Sequence, residues 1–142
     1  MTVRVSWAVA QAPLPEEDVV RAVEAALDHG GRPRAELEVV LVDDATLADL
    51  HARFHGDPTP TDVIAFDLGP EGGGPEGEIY VSVDRALAVA RERRSDERRE
   101  LALYLVHGAL HLCGFDDGDE VDRRAMREAE SSVLQRLGYA AE

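Results

Sequence analysis

Residues 101–113 read LALYLVHGALHLC, and the rest of the chain is best understood outward from them. Taken as a helix, the apolar residues of this stretch do not keep to one stripe. They cover nearly the whole circumference, as in a helix buried at the centre of a domain. Ser95 is positioned to cap it, and Gly114 to stop it after Cys113. Two polar rings interrupt the apolar surface, His107 and His111. Four residues make about one helical turn, so both imidazoles leave the same face, separated by a rise of about 6 Å. Two neutral imidazoles so placed can chelate one metal ion. The plainer alternative is a pair of buried histidines bonded to backbone groups. Two features favour the metal. Polar rings in so apolar a helix need partners to offset their desolvation. The break at Gly114 also turns the chain back through Phe115-Asp116-Asp117, where a third ligand could reach the same face.

On the N-terminal side, Val3, Val5, Trp7 and Val9 alternate as in a first strand. Pro15 opens a helix to about His29, with acidic Glu16, Glu17 and Asp18 at its positive end and Gly30-Gly31 closing it. A second strand is predicted over 36–42 and a short helix over 44–54, capped by Asp43 or Asp44. Asp57-Pro58-Thr59-Pro60 is turn chemistry, followed by a strand over 62–68. The glycine-rich run GPEGGGPEG, residues 69–77, is a hairpin-like connection to a fourth strand over 78–83. A helix over 83–94 precedes the central one, and a last amphipathic helix spans about 119–137. The pattern implies an α+β fold. One domain covers 1–142, a small mixed four-stranded sheet packs with about five helices, and the metal site lies on the central buried helix.

Composition narrows the function classes. The 142 residues are 44% hydrophobic and 31% charged, a globular balance with room for one core. No apolar run approaches the roughly 20 residues that span a bilayer. The N-terminus lacks a sustained apolar segment, so no signal peptide is expected. A lone cysteine, Cys113, suits a reducing compartment and is expected in the core; the cytoplasm is the expected location. The 29 acidic residues outnumber 15 basic ones, all Arg, for a net charge of −14. Such a chain repels polyanions at low salt. The acidity fits a salty cytoplasm, and Arg in place of Lys fits a GC-rich genome equally well. The basic run Arg91, Arg93, Arg94, Arg98 and Arg99 is either a salt-bridged helix surface or a track for an RNA backbone. His29 and His51 read as solvated. With three Phe, three Tyr and one Trp, aromatics look too few for a base-stacking platform.

HGALHLCGFDD, residues 107–117, resembles the signature of the YbeY family of endoribonucleases, HGxLHLxGYDH, whose three histidines bind metal. PTDVIAF (60–66) resembles the family's PTDVLSF, and GEIYVS (77–82) its GDIxIS strand. Met126 and Glu130 resemble its M-x-x-x-E ending. The resemblance implies a single-domain, metal-dependent endoribonuclease that matures ribosomal RNA, with ribosomal RNA and ribosomal or assembly proteins as partners. It implies one divalent metal per chain, zinc with another divalent ion as the alternative, on His107, His111 and Asp117, and no other small-molecule ligand. Two departures stand out. Asp117 occupies the third histidine's place; a carboxylate is a legitimate zinc ligand but makes a weaker Lewis acid, and the alternative is that Asp117 does not ligate. His55 stands where the family often has an Arg before PTDV that meets the RNA phosphate. It is carried over as a substrate-binding residue, with a plain loop residue as the alternative.

No glutamate follows the first histidine, where HExxH proteases keep their base, because Gly108 is there. That ranks a peptidase last. A non-catalytic assembly factor with a structural zinc is the remaining alternative. Glu100 and Asp116 are the nearest acids, and neither spacing marks it as a general base.

Overall fold

The computed structural model describes residues 2–56, 61–69 and 76–139. Among them are strands β1 (Thr2–Trp7), β2 (Glu36–Val42), β3 (Val63–Asp67) and β4 (Gly77–Ser82). The helices are α1 (Glu16–His29), α2 (Asp44–His55), α3 (Val83–Arg93), α4 (Glu97–Leu112) and α5 (Glu120–Arg136). The predicted elements are all present, within a few residues of their expected ends. The expected turn at 57–60 and most of the 69–77 connection lie outside the described residues.

The four strands form one sheet in the order β1-β2-β4-β3. β1, β2 and β4 run parallel, and β3 is antiparallel to β4. The sheet is therefore mixed, as expected. Its alternation separates two cores. Leu37, Val39 and Leu41 of β2 and Ile79 and Val81 of β4 join the main core under α1, α4 and α5. Val42 and Ile64 point the other way and are covered by Leu47 of α2, with Val40, Phe66 and Tyr80 packed alongside.

Helix α4 lies at the centre, packed by α1, α3, α5, β3 and β4. Leu101, Leu105, Val106, Ala109 and Leu110 are each fully buried, which is why its sequence shows no polar stripe. Close approach to the sheet requires Gly108. A Cβ there would sit 2.9 Å from Ile79 Cγ2 and 3.0 Å from Val63 Cγ2. Gly114, with φ of +101°, adopts the left-handed conformation that turns the chain out of α4. The N–H of Phe115 then donates to the carbonyl of Leu110 at 3.1 Å.

Helix caps needed the structure. Asp43, not Asp44, caps α2 by accepting from the N–H of Thr46 at 2.7 Å. The cap of α4 is Asp96, which accepts from the N–H of Arg98 at 2.9 Å. Ser95 does not cap it. Its hydroxyl is buried without a hydrogen-bond partner among the described residues, and Ser95 instead closes the left-handed turn at Arg94 that ends α3, its N–H donating to the carbonyl of Ala90 at 2.9 Å.

Candidate metal and substrate cleft

One cleft, of about 210 Å³, gathers all four site residues expected from the sequence: His55, His107, His111 and Asp117. The two histidines arrive from successive turns of α4, and Asp117 returns on the loop that Gly114 starts. His107 Nε2 lies 3.6 Å from Asp117 Oδ2. Asp117 is half exposed and its backbone N–H donates to the Asp116 carboxylate at 2.8 Å. The floor is Gly108 with Val63 and Ala65 of β3. Among the described residues, no three His, Cys, Asp or Glu side chains are already closed around a single point.

The residue that the sequence reading left without a role is Glu130. Its Oε2 lies 2.6 Å from His107 Nδ1, and its side chain is only 13% exposed. The pair joins α5 to α4 across the domain interior. An N–H on Nδ1 donates to this carboxylate, so the lone pair falls on Nε2, the nitrogen that faces Asp117. The Glu130 hydrogen bond raises the pKa of His107; burial opposes it, and the charges of Glu130, Asp117 and Asp62 add to the rise. The signal for this role was present in the spacing of the M-x-x-x-E ending, yet its partner lies 23 residues earlier and only folding brings it near.

The donor set fits zinc. One imidazole has its outer nitrogen held by a carboxylate and its inner nitrogen directed into the cleft, a second imidazole shares the face, and a carboxylate stands opposite. Imidazole nitrogen and carboxylate oxygen are the ligand types found in three-ligand zinc sites.

The rim departs from expectation. His51, expected to be solvated, lines the cleft together with His55. Both lie on α2, one turn apart, and their ring centroids are 5.3 Å apart. Helical periodicity forces this, because whatever turns His55 toward the cleft turns His51 with it. The aromatics, though few, are concentrated here. Phe66 lies 6.3 Å from His55 in near-parallel stacking (12°), 5.3 Å from Phe54 and 5.8 Å from Tyr80. Phe54 is 62% exposed at the edge of this cluster. Neither nearby acid enters the cleft. Glu100 is buried beside Tyr104, two turns before His107 on the same side of α4 but in the adjoining hollow, and Asp116 faces away with Cys113 and Asp122. Cys113 is half-buried against Gly30 rather than fully in the core.

Comparison with known proteins places this arrangement in a family. The family described as "Endoribonuclease YbeY" matches residues 8–138. An endoribonuclease YbeY of Protochlamydia amoebophila is 42% identical over 105 residues, covering 72% of this chain and 70% of that protein. One from Desulforamulus reducens is 35% identical over 136 residues, covering 87% of this chain and 89% of the relative. The solution structure of a Thermotoga maritima protein, 24% identical, superposes with a TM-score of 0.64 over 96% of this chain and 89% of that one, a likeness of fold. With the motif residues assembled in one cleft and the match running nearly end to end, the chain belongs to the YbeY family.

Proposed function

We propose that this chain is a zinc-dependent endoribonuclease that cuts single-stranded RNA during ribosomal RNA maturation in the cytoplasm, with ribosomal or assembly proteins as further partners. One observation carries the reading. His107, His111 and Asp117, separated by a helical turn and a loop, share a single open cleft in which His107 is oriented by Glu130. His107 Nε2, His111 and Asp117 would hold the ion, and the names of the relatives support RNA as the substrate.

A bound divalent ion supplies Lewis-acid stabilisation of the charge that develops on a phosphoryl oxygen. The protein's own groups do the rest. Glu130 keeps the proton of His107 on Nδ1 and so keeps Nε2 free to ligate. Gly108 lets β3 and β4 approach α4 closely and so sets Val63 beside the histidines in the cleft. His51 and His55 stand at the rim, where their ring N–H groups can donate to phosphate oxygens without the permanent charge of an arginine. That makes His55 a substrate-binding residue of modest strength, in keeping with a site on so acidic a protein.

The test is cleavage of a labelled single-stranded RNA, with zinc content measured in parallel. His107→Ala and His111→Ala are expected to lose both zinc and cleavage. Asp117→His, which installs a third imidazole, is expected to keep both and bind zinc more tightly. Chelator should silence the wild type, and added zinc should restore it. Full cleavage by a zinc-free His107→Ala protein would refute the proposal.

A further inference from the structure

A second cleft, about 400 Å³ in volume, adjoins the first on the α3 side and shares Thr61 with it. Its walls carry Arg85 and Arg93 from α3, and Asp62 stands beside Thr61 at the junction. Its size is that of an ordinary small-ligand pocket, with room for one nucleotide unit. The two arginines differ in what already holds them. Arg85 donates to the Asp44 carboxylate at 3.3 Å and is tied into the start of α2. Arg93 is exposed and forms no hydrogen bond or ion pair among the described residues. It sits on the last turn of α3, and the left-handed turn at Arg94 fixes where that turn ends.

Neither of the cleft's acids forms an ion pair with this cation, though Arg93, Asp62 and Glu100 all act on Tyr104 through their charges. Glu100 is 2% exposed, and its carboxylate is engaged by the Tyr104 hydroxyl at the cleft floor. Asp62 is partly buried at the junction. On a chain of net charge −14, this concave site next to the histidine cleft is lined by as many guanidinium groups, Arg85 and Arg93, as carboxylates, Asp62 and Glu100, and Arg93 is the cation among them without a hydrogen bond or ion pair among the described residues. A cavity wall focuses its field, and guanidinium matches phosphate oxygens in geometry as well as charge.

We propose that this cleft is a nucleotide subsite of the endoribonuclease, in which Arg93 binds a backbone phosphate of the RNA strand adjoining the residue held at the histidine cleft. The inference rests on the RNA-cleaving reading above. It separates Arg93, which meets substrate, from Arg91, exposed on the same helix but not part of the cleft.

Binding of a short fluorescent oligouridylate to the full chain, followed by anisotropy in chelator across a potassium chloride series, tests this without cleavage. Each phosphate neutralised on a single strand contributes about 0.7 to the slope of log affinity against log salt. Arg93→Gln should weaken binding about three- to tenfold at low salt and lower that slope by about 0.7. Arg93→Lys should restore the slope, and Arg91→Gln should change neither quantity. With zinc present, Arg93→Gln should raise KM for RNA cleavage and leave kcat nearly unchanged. Wild-type affinity and slope in Arg93→Gln would overturn the subsite while leaving the nuclease reading intact. A wild type that neither binds nor cuts RNA would remove both.

Discussion

Removing Glu130 isolates how much of the proposed zinc site would be set by a residue outside its proposed ligands, His107, His111 and Asp117. In Glu130→Ala the His107 ring loses a partner at 2.6 Å and, with it, the group that holds the proton on Nδ1. Carboxylates in this position typically contribute 10–100-fold to metal affinity, about 1.4–2.8 kcal/mol. A charged hydrogen bond contributes about 1.5–3 kcal/mol to the fold. Here the lower end applies, because the His107 side chain is 28% exposed and water can replace the lost acceptor. The expected result is a zinc affinity reduced 10–100-fold and a metal-free protein destabilised by about 1–2 kcal/mol. Glu130→Gln keeps an acceptor oxygen but not the charge, so it should fall between the two. Competition with a chromophoric chelator measures the first quantity and denaturant unfolding in chelator the second. An unchanged zinc affinity in Glu130→Ala, beside loss of zinc in His107→Ala, would refute the orienting role. A loss equal to that of His107→Ala would make Glu130 a ligand instead.

Gly108→Ala sets two effects against each other. Helix propensity gains about 1 kcal/mol, but the new methyl meets the stiff branched side chains of Ile79 and Val63 at 2.9 and 3.0 Å. Overpacking of that kind costs about 1–3 kcal/mol and wins, so the melting temperature should fall; a rise would show that α4 can shift freely. Tyr104 is held protonated by burial first and by Glu100 second, which raises its pKa above the ordinary tyrosine value. A raised pKa means the folded state binds this proton more tightly. The stability it contributes is therefore complete below about pH 10 and declines above it, as the unfolded chain ionises first. Tyr104→Phe should be less stable than wild type at neutral pH, and the gap should narrow on titration to about pH 11, read by urea unfolding; a constant gap would contradict the assignment. The net charge of −14 should make the melting temperature climb from low to molar potassium chloride, and a flat or falling curve would discount self-repulsion.

What could be read from the amino acids alone was whatever a local period encodes. The apolar wrap of residues 101–113 marked α4 as the central helix, and the spacing of His107 and His111 put both rings on one face. Alternation marked the first strand, three further strands were placed in the right order between their turns, and Gly114 marked the turn that returns Asp117 toward the cleft. The glycine after His107 was legible as a missing protease base, though its reason, the closeness of Ile79 and Val63, was not. What only the tertiary structure decided lies across long separations. Glu130 meets His107 because α5 packs on α4. His51 reaches the cleft because α2 covers the opposite face of the edge strand β3, so its side chains meet those of α4 around that edge. Arg93 is set apart from four neighbouring arginines because the Arg94 turn ends α3 beside Tyr104. Helix and strand periods are set by neighbouring residues, so a sequence displays them directly. Which faces then oppose one another depends on how the whole apolar surface is buried at once, and no single stretch of the chain carries that information.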